Sequence, residues 1–199
     1  MLGAACTASL VEDAALPFDK RRCGMLLGAG GIGMVLESEA SFKRRCLTTD
    51  SVTVKARLLA TQYSNSAYHG ASLDRKHIAT ELKRFLIDIE SKYGIKKDDI
   101  ATRGIYLSHE TSTHASSEQS CAGNEIGALR EVFGDDLLSK ILILNTKGFT
   151  GHPMGVSFED VVAVEALWKQ YVPPVVNHLV KDDYLGNINL SKGGPYKCQ

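Results

Sequence analysis

The sequence has little of several features that would point to a particular class of protein. It has no excess of charge of either sign, because its 23 Lys and Arg residues balance its 23 Asp and Glu residues. Proteins that bind nucleic acid or anionic membranes through charge need a basic excess. The apolar runs also stay well below the roughly 18 residues that a membrane-spanning helix requires. We therefore expect no nucleic-acid partner and no membrane span.

Cysteine is sparse and irregularly spaced. The five cysteines are an odd number, stand far apart and form no C-x-x-C pair, so neither a disulfide framework nor a metal site is predicted. Free thiols suit a reducing compartment, such as the cytoplasm or the interior of an organelle. The N-terminal segment carries Glu12 and Asp13 and lacks a basic stretch followed by an apolar one, so we expect no secretory signal peptide and no secretion. The cysteines are Cys6, Cys23, Cys46, Cys121 and Cys198.

Apolar and polar residues alternate in a way that predicts an α/β protein. Apolar residues make up 44% of the 199 residues, which is enough to bury the core of a single domain. Helical spacing of apolar residues alternates with short runs rich in β-branched residues, and this order favours helices layered on a mostly buried sheet. The segment after residue 185 is expected to be a loop. The predicted strands are 53–65, 104–108 and 140–146, and the predicted helices are 74–94, 124–133 and 158–171.

The glycine-rich stretch Gly28–Gly33 allows two interpretations. Its letters GAGGIG match the G-x-G-x-x-G pattern of dinucleotide-binding loops, and Asp50 lies at about the required distance for a ribose ligand. That pattern alone is weak evidence, and the residues that follow would open a helix without a capping residue. Alternatively, the glycines let backbone segments pack closely or adopt positive φ angles.

Two histidines follow predicted strands. His109 comes directly after the strand 104–108, and His152 follows the strand 140–146 with Lys147 between them. Ligands bind at the carboxyl ends of strands in α/β folds, so we expect the two imidazoles to approach each other at one end of the sheet. Two histidines can donate hydrogen bonds to a developing oxyanion, and a nearby lysine can tune them.

Several segments occur in the order found in β-ketoacyl synthases. They are ALPFDKRRCGMLLGAGGIGMVLE, YLSHETST, EIGALREVFG, NTKGFTGHPMGVSFEDVVAVEAL and VPPVVNH. The chain resembles these condensing enzymes of fatty-acid and polyketide synthesis over essentially its whole length, most closely the ketosynthase domains of large bacterial-type polyketide synthases. The resemblance implies a thiolase-like α/β fold, mostly the second half of that duplicated fold and incomplete at both ends. Residues 1–50 would then end the N-terminal half, and residues 51–199 would form the C-terminal half.

The resemblance also implies roles for particular residues. His109 and His152 would stabilise the enolate and thioester oxyanions of a decarboxylative Claisen condensation, and Lys147 would orient and tune them. Thr111 and Thr113 would line the entry for the pantetheine arm of the substrate. The glycine-rich stretch would lie under the active site, so no nicotinamide, flavin or other cofactor is expected.

The sequence departs from the family at the nucleophile. Cys6 lies in GAACTASL, which superficially resembles a nucleophile motif, but only ten residues separate it from Pro17. That leaves no room for the helix whose N-terminus lowers the pKa of the nucleophilic thiol. Glu110 and Ser112 also replace glycines found in many members. Whether the chain is an enzyme therefore stays open.

Two hypotheses follow from this departure. The chain contributes the histidine and lysine part of a condensing site and is inactive alone, or it is a non-catalytic structural subunit that keeps the ketosynthase fold. Either way its partners would be other polypeptides, which supply the missing half or form a larger assembly, and an acyl carrier protein. A half-fold would otherwise expose apolar faces.

Overall fold

A computed structural model describes residues 4–49, 53–67, 73–113 and 120–198. Helices and short strands alternate through most of this part of the chain. The helices are α1 (Glu39–Cys46), α2 (Arg75–Tyr93), α3 (Lys97–Arg103), α4 (Cys121–Leu138), α5 (Lys147–Thr150) and α6 (Phe158–Lys169). The strands are β1 (Ile105–Leu107), β2 (Leu142–Leu144), β3 (Tyr171–Pro174), β4 (Asn189–Leu190) and β5 (Lys192–Pro195), and 3-10 turns lie at Val11–Asp13 and Asp183–Leu185.

The strands form two small sheets. In the first, β2 lies between β1 and β4 and is parallel to both. The register aligns Ile105 with Leu142 and Leu107 with Leu144, so the carboxyl ends of β1 and β2 lie at the same edge. In the second sheet, β3 and β5 pair antiparallel.

The core lies on both faces of β2, whose side chains alternate between the two. Ile143 belongs to the larger apolar cluster, which is built mainly from α2, α3 and α4. Leu142 and Leu144 belong to a smaller cluster with residues of α6 and β3. Helical layers therefore cover the parallel sheet on either side, which confirms the predicted α/β class. The larger cluster includes Phe18, Ile126, Leu129, Leu138, Ile143 and Leu185.

The predicted helices are present, and their ends have identifiable causes. The carboxylate of Asp74 accepts a hydrogen bond from the backbone N–H of His77 at 3.1 Å and caps α2. Gly94 ends this helix in the left-handed conformation, with φ of 67°. Gly134 interrupts α4 with φ of 76°, where the sequence predicted its end, but a further helical turn continues to Leu138.

The predicted strand at 53–65 is wrong, because residues 53–67 form neither helix nor strand. This segment is mostly exposed and is held by side chains of neighbouring helices. Lys55 pairs with Glu165, and the Tyr93 hydroxyl donates to the Leu59 carbonyl at 2.6 Å. The β-branched residues at its start favour extended backbone, but none of the strands in the described part of the chain pairs with it to make it a sheet strand.

The segment after residue 185 was expected to be a loop, and this is also wrong. It contributes β4 to the parallel sheet and β5 to the antiparallel pair. These strands are only 2 and 4 residues long, and β5 contains two glycines with positive φ. Strands β4 and β5 form because they pair with β2 and β3, and the local sequence does not favour strand by itself.

None of the helices in the described ranges is long and apolar enough to cross a membrane.

Candidate active site

The ends of β1 and β2 are joined by the side chain of Asn145. Its amide donates to the carbonyl oxygens of Ser108 at 3.3 Å and Glu110 at 2.9 Å. Its carbonyl oxygen accepts the backbone N–H of Lys147 at 2.8 Å. This one buried amide therefore fixes the loop that carries His109 against the turn that carries Lys147.

The glycine-rich stretch holds His152 by its backbone. The N–H of His152 donates to the Leu26 carbonyl at 2.7 Å, and the N–H of Gly28 donates to the His152 carbonyl at 3.1 Å. A Cβ atom at Gly28 would lie 1.9 Å from the Thr150 carbonyl oxygen, so only glycine permits this approach. The interpretation as close backbone packing is confirmed for Gly28.

The rest of the glycine hexamer behaves differently. A Cβ at Gly30 would meet the ring of Phe158 at 2.4 Å. A Cβ at Gly31 or Gly33 would have no atom of the described residues within 4 Å, apart from its chain neighbours. Close packing was therefore the wrong explanation for Gly31 and Gly33. The first helix after the hexamer, α1, begins only at Glu39. A dinucleotide fingerprint needs a helix that opens at the glycines, so the hexamer lacks this context.

The two predicted histidines come together. The ring centroids of His109 and His152 lie 5.1 Å apart, and the rings are nearly perpendicular at 83°. His109 is exposed and His152 is half-buried. The Nδ1 atom of His152 is buried, and no group in the described part of the chain forms a hydrogen bond with it. The expected approach of the two imidazoles is confirmed.

Both imidazoles are held in the neutral form. His109 is exposed as a whole residue, but the protein atoms around its ring partly desolvate the imidazole and lower its pKa to about 4, and the charges of Lys147 and His152 contribute to the shift. Burial also lowers the pKa of His152, and the charge of Lys147 acts in the same direction. Near neutral pH each ring therefore offers one N–H donor and one acceptor nitrogen.

Lys147 is buried at the start of α5 and forms an ion pair with Glu159. The hydroxyl of Thr146 donates to the same carboxylate oxygen at 2.9 Å. Burial lowers the pKa of Lys147, and Cys121 and Glu125 act in the opposite direction. Glu159 was assigned no role from the sequence, so its contact with Lys147 was not predicted.

Glu125 in α4 supports the backbone of His109. Its carboxylate accepts hydrogen bonds from the Tyr106 hydroxyl at 2.8 Å, the Ser108 hydroxyl at 2.5 Å and the His109 N–H at 3.0 Å. Burial raises the pKa of Glu125. Sequence reasoning missed this residue. The only signal for it is a carboxylate on the helix that directly follows the HETST loop.

Glu110 and Arg22 form a second buried charged group behind the loop. One Glu110 oxygen accepts the Ser112 N–H at 2.8 Å and lies 3.8 Å from Nε of Arg22. Arg22 also pairs with Asp182 at 2.8 Å. Burial outweighs the nearby guanidinium and raises the pKa of Glu110 to about 7.

The two threonines of the loop have limited access to solvent. Thr111 is buried and Thr113 is half-buried. The Thr113 hydroxyl oxygen lies 3.4 Å from the Cys121 N–H, and its carbonyl accepts from Arg22 at 3.2 Å. Their assignment to the pantetheine entry stays a prediction.

Neither Cys121 nor Cys6 has the setting of an activated nucleophile. Cys121 begins α4, and its thiol lies 3.9 Å from the His109 carbonyl oxygen. Burial strongly raises the pKa of this thiol, and Glu110 and Glu125 act in the same direction, so it stays protonated. Cys6 precedes no α-helix, since the nearest helical turn is the 3-10 turn Val11–Asp13.

Within residues 4–49, 53–67, 73–113 and 120–198, no three His, Cys, Asp or Glu side chains cluster closely enough to hold a metal ion.

Comparisons with known proteins bear on the family and the fold. No family model matches the chain. The 3-oxoacyl-[acyl-carrier-protein] synthase 2 of Coxiella burnetii is 30% identical over 171 residues, which are 83% of this chain and 37% of that protein. The solved AntDE:AntF complex, a type II polyketide ketosynthase with its acyl-carrier protein and a bound hexaketide, matches all of this chain with a TM-score of 0.79 and 25% identity.

A second solved structure matches almost as well. The ishigamide ketosynthase/chain length factor covers 98% of this chain with a TM-score of 0.77 and 25% identity. This chain spans 46% of the matched AntDE:AntF chain and 43% of the matched ishigamide chain. It therefore spans less than half the length of each of these three proteins.

Proposed function

We propose a function on the premise that this chain belongs to the β-ketoacyl synthases by sequence and by fold. The chain supplies the histidine and lysine part of a site for decarboxylative Claisen condensation of acyl and malonyl thioesters. The observation that carries this proposal is the pair of neutral imidazoles, 5.1 Å apart, beside a buried lysine. The biosynthetic setting would be fatty-acid or polyketide synthesis.

The imidazole pair suits the charge that develops in this reaction. Loss of CO₂ from a malonyl thioester leaves an enolate, whose negative charge lies on the former thioester oxygen. Two N–H donors that converge on that oxygen stabilise the charge without reorganisation during the reaction. The exposed position of His109 gives the imidazole pair access from the surface.

Lys147 acts in this proposal through the histidines. Its charge lowers the pKa of both rings, so it keeps them neutral, and Glu159 holds the ammonium in position. A protonated imidazole would still donate hydrogen bonds, but it would also stabilise the malonyl carboxylate before CO₂ leaves. Neutral rings favour the enolate over that ground state.

Condensation also needs a thiolate that carries the acyl chain. Cys6 precedes no α-helix in the described residues, and Cys121 begins α4 but has a thiol whose pKa is raised by burial, so neither has the setting of an activated nucleophile. We infer that the thiolate belongs to another polypeptide and that this chain alone does not condense acyl thioesters. An acyl carrier protein would deliver the malonyl group, as a carrier protein accompanies the ketosynthase in the AntDE:AntF complex.

Malonyl decarboxylation tests the proposal, because this half-reaction does not use the nucleophile. The purified chain is incubated with malonyl-pantetheine, and acetyl-pantetheine is measured by mass spectrometry. We expect formation above the uncatalysed rate, and we expect His109→Ala and His152→Ala to abolish it. His77→Ala, a histidine on α2 outside the site, is the matched control and should retain the rate.

A structural subunit is the second candidate function. The protonated Cys121 thiol and the buried Thr111 favour it, because they leave neither an activated nucleophile nor an open threonine wall. Decarboxylation at the uncatalysed rate, by a chain that circular dichroism shows to be folded, would contradict the catalytic proposal and support this alternative.

A further inference from the structure

Two cysteine thiols lie side by side at the N-terminal end of the described chain. The Sγ atoms of Cys6 and Cys23 are 3.6 Å apart, and both residues are half-buried and in the free thiol form. No pattern in the sequence predicts this contact, because 17 positions separate the two cysteines and they form no C-x-x-C motif. The folded backbone alone creates this pair.

Backbone hydrogen bonds fix the two segments that carry the thiols. The Cys6 N–H donates to the Met25 carbonyl at 2.9 Å, and the Met25 N–H donates to the Ala4 carbonyl at 2.8 Å. A Cβ at Gly24 would lie 2.4 Å from the Ala5 carbonyl oxygen, so glycine beside Cys23 permits the close approach. The sulfur atoms therefore meet because the main chains are paired, and a modest side-chain rotation would bring them to bonding distance.

We propose that Cys6 and Cys23 form a reversible thiol–disulfide modification site that reacts with small disulfides of the glutathione class. This inference is independent of the proposed condensing function. It concerns a pair of residues that the catalytic proposal does not use.

The local environment indicates the order of the reaction. The Ala8 N–H donates to the Cys6 sulfur at 3.3 Å, which stabilises negative charge on that atom. Burial and the adjacent Cys6 sulfur raise the pKa of Cys23. The hydrogen bond from Ala8 therefore favours Cys6 for the first attack and leaves Cys23 as the resolving thiol.

The exchange balances without a further reactant. The Cys6 thiolate attacks one sulfur of the small disulfide, forms a mixed disulfide and expels one small thiolate, which takes up a proton. Cys23 then loses its proton to solvent and attacks the Cys6 sulfur, which expels the second small thiolate. In total two protein thiols are oxidised and one small disulfide is reduced to two thiols.

The crosslink would act on a segment that the candidate active site shares. The Gly24 N–H donates to the Ser112 carbonyl at 2.9 Å, and Leu26 and Gly28 hold His152. Oxidation would fix residues 4–6 to residues 23–25, directly before this segment. It should therefore increase the midpoint temperature of unfolding by restricting the unfolded chain.

Thiol mapping of the full chain tests the proposal. The folded protein is incubated with oxidised glutathione, its remaining thiols are alkylated under denaturing conditions, and peptides are identified by mass spectrometry. We expect a Cys6–Cys23 crosslinked peptide, which disappears after addition of reduced glutathione. Cys6→Ser and Cys23→Ser should prevent it and leave one mixed disulfide, whereas Cys46→Ser, at an exposed cysteine on α1, should leave the crosslink intact.

A parallel incubation in urea shows whether the fold directs the pairing. We expect the crosslink to form much less selectively in urea, because the main-chain pairing is lost. The proposal is overturned if native protein accumulates mixed disulfides at Cys6 or Cys23 without the crosslink. It is also overturned if neither thiol reacts, or if native and urea samples give the same pairs.

Discussion

At the scale of single residues, the candidate site depends on one buried charge. Lys147 lies next to two imidazoles and lowers their pKa values. Its own buried charge is tolerated because it forms an ion pair with the Glu159 carboxylate. A buried ion pair is costly to break, because the remaining partner is left as an unpaired charge in a poorly solvated place. Removing Lys147 therefore changes both the electrostatics of the histidines and the stability of the fold.

The double substitution Lys147→Met with Glu159→Gln separates these two effects. Lys147→Met alone should destabilise the protein by about 3–5 kcal/mol, because Glu159 loses its partner. The double variant should recover much of this loss, since both charges are gone. In the double variant the pKa of His109 and of His152 should rise, because the repelling ammonium is absent. NMR titration of the imidazole Hε1 signals measures the pKa change, and urea denaturation measures the free energy of unfolding.

Lys55→Met with Glu165→Gln provides the matched control. This ion pair is more exposed and joins the segment 53–67 to α6. This control variant should leave both histidine titrations unchanged and lower the free energy of unfolding by at most about 1 kcal/mol. Unchanged histidine titrations in the Lys147 double variant would contradict the tuning role of Lys147.

Glu110 predicts an unusual pH dependence of stability. Burial raises its pKa from the ordinary value of 4.5 to about 7 in the folded protein, so the folded state binds more protons than the unfolded state between these values. Its contribution to stability is therefore complete below pH 4.5 and is lost as pH rises through 7. Glu110→Gln should remove this dependence and stabilise the protein above pH 7 by up to about 3 kcal/mol.

The measurement is urea denaturation of both proteins at a series of pH values from 4.5 to 8. Gln keeps an oxygen that can accept the Ser112 N–H, so the loop geometry is preserved. Glu12→Gln, at an exposed carboxylate in the first 3-10 turn, is the control and should show the pH profile of the unsubstituted chain. A Glu110→Gln profile parallel to that of the unsubstituted chain would show that Glu110 is ionised at neutral pH.

At the scale of elements, local signals in the sequence identify the helices better than the strands. Asp74 and Gly94 bound α2 through capping contacts that local sequence encodes, and Gly134 interrupts α4 where it was expected to. The strand at 53–65 and the loop after residue 185 were wrong, because a strand exists only where a neighbour pairs with it. Such a neighbour is a property of the folded chain.

The same reasoning explains which parts of the site were predictable. His109, His152 and Lys147 follow strand ends, so position along the chain indicated that they meet. Asn145, Glu125 and Glu159 act through contacts with backbone and charge that only the packed elements create. Family resemblance and position along the chain identified the two histidines. The groups that support them can be recognised only in the folded structure, because packing creates their contacts.

The backbone ladder between Gly28 and His152 gives a prediction for an element. Gly28→Ala places a methyl group 1.9 Å from the Thr150 carbonyl oxygen, so the ladder must separate. We expect a loss of about 1–3 kcal/mol in the free energy of unfolding, as for overpacked sites, and a shifted His152 Hε1 signal. Urea denaturation and NMR spectra of the imidazole protons measure the two effects.

Gly33→Ala, in the same hexamer, is the matched control. A Cβ there has nothing within 4 Å, and its φ is not in the left-handed region. We expect unchanged or slightly higher stability, because alanine restricts the unfolded chain, and an unshifted His152 signal. Equal behaviour of the two variants would mean that Gly28 does not hold His152.

At the scale of the whole molecule, many large apolar side chains face solvent. Val35 is 98% exposed and Leu36 71% shortly before α1, and Leu47 is 86% exposed directly after it. Exposed apolar residues that lie together mark surfaces which other chains cover. The chain also spans less than half the length of the ketosynthases it matches.

We therefore expect the isolated chain to associate through the region around α1. Replacing Val35, Leu36 and Leu47 together by serine should shift it toward the monomer in sedimentation equilibrium, because the gain from burying these side chains is lost. Urea denaturation should show little change in the stability of the monomer, since the three side chains are already exposed. Val11→Ser, at an exposed valine in the first 3-10 turn, is the control and should leave association unchanged. A chain that sediments as a monomer at high concentration before any substitution would contradict the prediction and show that this apolar surface is stable in water without a partner.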